Sequence, residues 1–213
     1  MKKYIEHTLL KQDATEQELL NLFKEAKENE FLGVCINPCY VKLASDYLKN
    51  TDVKVVTVIG FPLGANKTEV KVFETKCAVE DGADEIDMVI NVTWLKDKKY
   101  NLIVDEIRAI KEACGEHNLK VILETDLLSQ EEIKKASELC VEAGADLVKT
   151  STGFVKNGVG AKVEDVKLMY ETVKDAGLEV KASGGIRDRE AAEAMISAGA
   201  TRLGTSSGIK IVS

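Results

Sequence analysis

Two lysines occupy positions where a buried strand would carry bulky apolar side chains. Lys149 lies in the run LVKTSTG, and Lys181 lies in the run VKASGG. Lysine is almost never fully buried unless another group pairs with it or uses it. The placement of these two residues therefore points to amine chemistry.

Small and hydroxyl residues end both lysine runs, and such residues let backbone amides approach an anion closely. We expect this anion to be a phosphate group. The whole chain does not attract anions, because 36 acidic against 29 basic residues give a net charge of −7. A phosphorylated ligand would therefore need a local site.

Composition excludes several classes of function. The negative net charge argues against nucleic acid and anionic membranes as partners, and no stretch approaches the roughly eighteen apolar residues of a membrane span. The five cysteines include no Cys-x-x-Cys pair, so neither a disulfide framework nor a zinc ribbon is supported. Reduced thiols fit a cytoplasmic protein. With only two histidines, the chemistry is expected to come from Lys, Asp, Glu, Ser or Thr.

The elements that position these residues follow from a recurring unit. An amphipathic stretch, a Gly-Ala turn and an apolar run recur at Gly82, Gly144 and Gly199, and glycine there suits the residue after a helix, where φ is positive. Each of these turns leads into a predicted strand. Five further strands are predicted at residues 4–9, 33–37, 53–59, 120–124 and 178–182.

Eight strands alternating with helices predict an α/β fold with a parallel sheet, either a closed (β/α)₈ TIM barrel or an open doubly wound sheet. Two of the helices begin with capping boxes, Thr15 with Glu18 and Ser129 with Glu132. The closed barrel is favoured because no Gly-x-Gly-x-x-Gly follows an early strand. Only residues 209–213 follow the last strand motif, which predicts a short C-terminal end. The absence of a linker predicts one domain over residues 1–213.

Strand parity places one carboxylate beside the lysines. Side chains alternate between the two faces of a strand, so Asp87 faces away from its helix-packing neighbours Ile86 and Met88. The same parity turns Lys149 and Lys181 in one direction. We predict that the three charged side chains point into the barrel near the C-terminal strand ends, where barrel enzymes place their chemistry.

A pair of lysines has a chemical use that a single lysine lacks. A nucleophilic amine must be neutral, whereas a free lysine has a pKa of about 10.4. A cationic neighbour at about 5 Å opposes a second charge by roughly 3 kcal/mol at an effective dielectric constant of about 20. We hypothesise that one lysine is the nucleophile and that Asp87 keeps the other charged and moves protons. The alternative is a buried ion pair with a spare lysine, which stabilises little on its own.

An iminium on lysine withdraws electrons from the adjacent carbon, as cleavage of a carbon–carbon bond beside a carbonyl requires, and no metal is needed. Five motifs then resemble those of the deoxyribose-phosphate aldolase family, and the match runs from Ile5 to Gly208. The motifs are VIGFPLG from Val58, EIDMVIN from Glu85, KTSTGF from Lys149, VKASGGIR from Val180 and GTSSG from Gly204.

The resemblance implies an aldolase that reversibly cleaves 2-deoxy-D-ribose 5-phosphate to D-glyceraldehyde 3-phosphate and acetaldehyde. It implies that Lys149 forms the Schiff base and that Asp87 and Lys181 carry the proton transfers, with no cofactor and no metal. The family relation also implies a role in deoxyribonucleoside catabolism, a homo-oligomer that is a dimer or tetramer, and a small sugar phosphate as partner. Glu6 stands where the family usually has aspartate.

The resemblance also implies a substrate and phosphate site in the loops that follow the last strands, in agreement with the general rule for these barrels. Its residues would be Thr152, Gly153, Gly184, Gly185, Ser206 and Ser207. Two other functions stay open: another lysine-dependent aldolase or transaldolase on a phosphorylated sugar, and a sugar-phosphate sensor without catalysis. The three inward charges argue against the sensor, because a binding protein gains nothing from a perturbed lysine.

Overall fold

Eight parallel strands form one closed barrel in chain order. This computed structural model describes residues 1–213, and it confirms the predicted TIM barrel. The strands are β1 (Ile5–Leu9), β2 (Gly33–Ile36), β3 (Lys54–Ile59), β4 (Glu85–Val89), β5 (Asn118–Ile122), β6 (Leu147–Lys149), β7 (Glu179–Ser183) and β8 (Arg202–Thr205).

One strand differs from the sequence prediction by more than one residue. β5 begins at Asn118 and ends at Ile122, two residues earlier than predicted at each end. The reason lies in Glu124, whose backbone is left-handed with φ of 63° and cannot continue an extended strand.

Helices connect the strands and surround the barrel. They are α1 (Glu16–Glu28), α2 (Val41–Leu48), α3 (Thr68–Glu80), α4 (Val92–Lys96), α5 (Tyr100–Cys114), α6 (Gln130–Ala143), α7 (Val163–Val173), α8 (Arg189–Ser197) and α9 (Gly208–Val212). The capping boxes at Thr15 and Ser129 are present as predicted. None of these helices combines the length and the apolar character needed to cross a membrane.

The predicted Gly-Ala turns end helices as expected. Gly82, Gly144 and Gly199 all have positive φ, a conformation that glycine adopts without steric cost. Each turn passes the chain from a helix into β4, β6 or β8, and the alanine after the glycine is buried. These turns therefore set where the strands carrying Asp87 and Lys149 begin.

The short C-terminal end is confirmed, and it completes the layer of helices. α9 has only five residues, but Gly208 and Ile211 are buried and pack against β1. A Cβ added at Gly208 would lie 2.9 Å from His7 Nδ1 and 3.0 Å from a ring carbon of Phe31. The close approach permitted by this glycine lets a single turn of helix cover the junction between β8 and β1.

The barrel has an apolar outer layer and a divided interior. Outward side chains such as Ile86 and Val148 belong to the large core beneath the helices. Inside the barrel, Cys35, Val56 and Val58 form a small apolar cluster on the side of β2 and β3. The other side of the interior holds buried acids and lysines, so the barrel concentrates charge in one part of its lumen.

A second buried ion pair lies outside the barrel, between α3 and α5. Lys71 Nζ is 2.9 Å from Glu106 Oε2 and donates to the Val89 carbonyl at 2.8 Å. Burial lowers the pKa of Lys71 and raises that of Glu106, because it opposes the charged form of each. The pair ties both helices to the end of β4, two residues beyond Asp87.

Candidate active site

One carboxylate organises the charged side of the barrel. Asp87 Oδ2 accepts hydrogen bonds from Lys149 Nζ at 2.7 Å and from Lys181 Nζ at 2.6 Å. Lys149 and Lys181 lie opposite each other in the register of β6 and β7, so the two ammonium groups flank a single oxygen. The inward placement predicted from strand parity is confirmed for all three residues.

Lys181 is the more deeply held of these two lysines. Its side chain is fully buried, and it bonds to Glu6 as well as to Asp87. Burial opposes its charge, but the carboxylates of Asp87 and Glu6 outweigh burial and raise the pKa of Lys181 well above the usual value. Lys181 therefore rests in its cationic form.

A third interior lysine, Lys120, was missed by the sequence analysis. It lies opposite Asp87 in the register of β4 and β5. Its Nζ is 3.1 Å from Asp87 Oδ1, 2.5 Å from Glu85 Oε2 and 3.5 Å from Glu6 Oε1, although none of these contacts is aligned as a hydrogen bond. Lys120 therefore interacts with all three acids through charge rather than through one directed bond.

Electrostatics keep the cluster ionised. Burial raises the pKa of Asp87, but the charges of Lys120, Lys149 and Lys181 outweigh it and hold that pKa well below its usual range. Burial lowers the pKa of Lys120, and Asp87 and Glu6 reverse that effect, so its pKa is raised. The interior positions of Lys120 and Glu6 could have been predicted from the sequence, because both residues lie in strand runs at positions whose side chains face the barrel interior.

Of the three interior lysines, Lys149 contributes least to the charge balance of the buried acids. Three acids, Glu6, Glu85 and Asp87, face Lys120, Lys181 and the half-exposed Lys54, whose Nζ lies 2.5 Å from Glu85. These opposite charges balance without Lys149. Lys149 contacts a single carboxylate, that of Asp87, whereas the other two interior lysines each contact more than one.

A cavity of about 410 Å³ opens at the C-terminal ends of the strands and reaches this cluster. Lys149 lines it, whereas Asp87, Lys120 and Lys181 lie beneath its floor. Gly204 forms part of that floor, and a Cβ there would lie 3.1 Å from Lys181 Cε. The charged residues among the lining are all cationic, namely Lys11, Lys149 and Arg187. The cavity can therefore receive an anion in a protein of net negative charge.

Backbone amides add to this anion site. The N–H groups of Gly153, Gly184, Gly185 and Ser206 donate no hydrogen bond within the protein, and all four residues line the cavity. The three glycines have positive φ, and a Cβ at Gly185 would lie 2.4 Å from the Val159 carbonyl oxygen. Glycine is required there, and the amides face an opening rather than a partner.

Two predicted binding residues are placed differently from the rest. Ser207 is absent from the cavity lining, and its amide donates to Thr205 Oγ1 at 2.9 Å. Thr152 lines the cavity, but both its amide and its hydroxyl bond to Glu124.

Arg187 lines the cavity without any ion-pair partner in the protein. Its guanidinium is thus available to a ligand.

The donor set in the interior does not fit a metal ion. Glu6, Cys35 and Asp87 bring one ligand atom each within 4.8 Å of one another. Both carboxylates already bond to Lys181, and burial raises the pKa of the Cys35 thiol, which disfavours the thiolate that metals bind. A cation here would have to displace buried lysines.

Comparison with known proteins gives one consistent relationship. A family model described as DeoC/LacD family aldolase matches residues 1–213. Deoxyribose-phosphate aldolase from Staphylococcus carnosus is 59% identical over 210 residues, covering 99% of this chain and 94% of that protein. Deoxyribose-phosphate aldolase from Clostridium botulinum is 58% identical over 213 residues, covering 100% and 99%.

Solved structures agree in fold over nearly the whole chain. A putative deoxyribose-phosphate aldolase from Coccidioides immitis superposes with a TM-score of 0.96 at 47% identity, covering 99% of this chain and 83% of that one. The tetrameric deoxyribose phosphate aldolase from Aeropyrum pernix superposes with a TM-score of 0.90 at 34% identity, covering 99% and 88%.

The charges around Glu85 predict a loss of stability in acid. Burial raises the pKa of Glu85, but Lys120 and Lys54 outweigh it and lower that pKa to about 2. Since the value is below that of the unfolded chain, the stabilisation is complete above about pH 4.5 and is lost as the pH falls toward 2. Between pH 5 and pH 3 the free energy of unfolding should lose about 2 kcal/mol from this group.

Urea unfolding at a series of pH values checks this expectation. Glu85→Gln should be less stable at neutral pH, and its stability should fall less steeply between pH 5 and pH 3. Glu138→Gln is the matched control, because Glu138 is an exposed partner of Lys135 and should leave the slope unchanged. Equal slopes for wild type and Glu85→Gln would contradict the assignment.

Proposed function

The chain belongs to the DeoC/LacD aldolase family, and from this premise we propose that it cleaves 2-deoxy-D-ribose 5-phosphate reversibly to D-glyceraldehyde 3-phosphate and acetaldehyde. The family resemblance predicted from the five motifs is confirmed over the full chain. The substrate is inferred from the names of the relatives and from the cationic cavity above Lys149.

A single observation carries the assignment of the nucleophile. Of the three interior lysines, only Lys149 lines the cavity, and it is also the one with a single carboxylate partner. A carbonyl entering the cavity therefore meets Lys149 first. The ammonium proton of Lys149 has an acceptor at once, because Asp87 Oδ2 lies 2.7 Å away.

The reaction follows from imine chemistry. The neutral amine of Lys149 attacks the C1 aldehyde of the open-chain sugar to form a carbinolamine, which takes back the proton that the Lys149 ammonium released and loses water to leave an iminium. Removal of the C3 hydroxyl proton breaks the C2–C3 bond, whose electrons move into the iminium to form an enamine. The three-carbon aldehyde phosphate leaves. Protonation of the enamine at C2 and hydrolysis then release acetaldehyde and restore Lys149.

Asp87 and Lys181 supply the proton transfers in this proposal. Asp87 Oδ2 accepts hydrogen bonds from both lysine nitrogens, so it can relay a proton between Lys149 and Lys181 without retaining it, as its low pKa requires. Lys181 has a further carboxylate partner in Glu6. The missing side chain at Gly204 leaves Lys181 close beneath the cavity floor.

Phosphate binding is assigned to the opposite end of the cavity. The unpaired amides of Gly153, Gly184, Gly185 and Ser206 follow β6, β7 and β8, where barrel enzymes commonly hold phosphate. Arg187 adds positive charge at the rim, whereas the Lys11 ammonium is already paired with Glu18 at 2.6 Å. Thr152 contributes as a lining residue, whereas Ser207 lies outside the lining with its amide engaged, and only the family resemblance assigns it to this subsite.

Two alternatives remain as outcomes of experiment. Another lysine-dependent aldolase or transaldolase would use the same imine on a different phosphorylated sugar, and product analysis separates it from this proposal. A sensor would bind the sugar phosphate without forming an imine. The buried ion cluster argues against a sensor, since binding alone does not require three lysines around one carboxylate.

We extend the proposal to the setting of the enzyme. It acts on a small sugar phosphate without a cofactor or metal, in the cytoplasm, as the five free cysteines suggest. It forms a homo-oligomer, a dimer or tetramer, in line with the tetrameric relative from Aeropyrum pernix.

Lys149→Arg is the variant that tests the nucleophile. A guanidinium keeps the charge beside Asp87 but cannot form the imine. The rate of deoxyribose 5-phosphate cleavage, measured by the release of glyceraldehyde 3-phosphate, should fall by a factor of about 10³ or more. Lys42→Arg on the surface of α2 is the control and should retain full activity. Substantial cleavage by the Lys149→Arg protein, once folding is verified, would rule out the mechanism.

Lys181 is predicted to serve proton transfer and not imine formation. Lys181→Arg keeps a positive charge beside Asp87 and Glu6 but exchanges protons poorly. Acetaldehyde and borohydride should therefore still label Lys149, while turnover falls by about 10²-fold or more. Loss of labelling in parallel with turnover in the folded Lys181→Arg protein, or full turnover, would contradict this role.

A further inference from the structure

A buried acid at the C-terminal rim of the barrel has no part in the proposed chemistry. Glu124 follows β5 and is only 4% exposed. Its backbone is left-handed, with φ of 63° and ψ of 61°, a conformation that a residue of this size adopts only when its surroundings impose it. Such residues concentrate at ligand-binding sites, so its contacts are informative.

Both carboxylate oxygens of Glu124 bond to one residue in the loop after β6. The backbone N–H of Thr152 donates to Oε1 at 3.0 Å, and the Thr152 hydroxyl bonds to Oε2. The Thr152 oxygen in turn accepts from the Phe154 N–H at 3.0 Å. A chain of hydrogen bonds therefore runs from Phe154 through Thr152 to Glu124.

The directions of these bonds follow from donor and acceptor capacity. The Thr152 hydroxyl donates its one proton to Glu124 Oε2, while its oxygen accepts from the Phe154 N–H. Both Glu124 oxygens then act as acceptors. This arrangement suits an ionised carboxylate, and an amide in its place would offer only one acceptor oxygen.

Gly153 lies between the two residues that this chain fixes. Its φ is 82°, its amide has no partner within the protein, and it lines the cationic cavity. Holding Thr152 on one side and Phe154 on the other limits rotation of the two peptide groups that flank Gly153. The direction of the free Gly153 N–H is thereby set by Glu124.

The backbone of Glu124 is itself anchored to the strand that carries Lys149. The Leu123 N–H donates to the Lys149 carbonyl at 2.9 Å, and the Thr125 N–H donates to the Thr150 carbonyl at 3.0 Å. The left-handed turn at Glu124 lies between these two bonds. It directs the carboxylate toward Thr152 while the main chain stays in register with β6.

We propose that Glu124 is a positioning residue, whose carboxylate fixes Thr152 and Phe154 so that the Gly153 amide faces the phosphate of the substrate. The inference rests on the proposed phosphate subsite. Glu124 does not touch the substrate, since it is absent from the lining of the cavity that contains Lys149. Its hydrogen bonds therefore act on phosphate affinity, whereas it touches Lys149 only through charge.

Calorimetric titration with inorganic phosphate, together with acetaldehyde labelling of Lys149, tests the inference. Glu124→Gln loses one of the two acceptors, and the dissociation constant for phosphate should rise about tenfold, the equivalent of one charge-assisted hydrogen bond. Borohydride labelling of Lys149 by acetaldehyde, which has no phosphate, should change far less than phosphate affinity. Glu124→Gly removes the carboxylate at a position where glycine is unstrained, so it should fold and show the same loss.

Glu30→Gln is the matched control, because Glu30 is also left-handed, with φ of 55°, but is exposed. It should bind phosphate as the wild type does. Unchanged phosphate affinity in the folded Glu124 variants would overturn the inference, as would an equal loss of Lys149 labelling or a wild type that binds no phosphate. If phosphate binding falls as expected but the wild type releases no glyceraldehyde 3-phosphate, the inference stands and the proposed function fails.

Discussion

The Asp87 carboxylate is the constraint on which the site depends. It is fully buried and contacts Lys120, Lys149 and Lys181, each from a different strand. A carboxylate in such a place is costly unless positive charge surrounds it, and an interior lysine is equally costly without an acid. The closed barrel meets both needs, because it brings β4, β5, β6 and β7 around one point. Removal of Asp87, Lys120 or Lys181 would leave an unpaired charge, whereas the remaining charges balance without Lys149.

The same constraint separates two tasks along the cavity. Lys120 and Lys181 lie beneath the cavity floor, and each contacts more than one acid. Lys149 lines the cavity and contacts only one acid, Asp87. The reactive amine is therefore next to charged side chains that are not exposed to solvent. At the other end, unpaired amides on glycines with positive φ and the unpaired Arg187 offer an anion its contacts. A substrate with a carbonyl at one end and a phosphate at the other fits between them.

Sequence alone predicted the part of this arrangement that depends on strand parity. Asp87, Lys149 and Lys181 were expected inside because their neighbours are apolar, and their runs were predicted as strands. Lys120 was missed because its importance comes from the register that sets it opposite Asp87, and pairing between strands is not visible in one strand. Lys181, the partner of Glu6, lies 175 residues away in the chain. The two side chains come into contact only because the barrel closes. The engaged amide of Ser207 depends on a local turn that its motif does not reveal.

The most direct measurement is the location of the covalent adduct in the wild-type protein. Acetaldehyde followed by borohydride reduction, with peptide mass spectrometry, should place a two-carbon adduct on Lys149 and on neither Lys120 nor Lys181. That result is predicted because Lys149 is the interior lysine that lines the cavity and has the fewest acidic partners. An adduct on Lys181 would reverse the roles of the two lysines, and the absence of any interior adduct would contradict imine chemistry at this site.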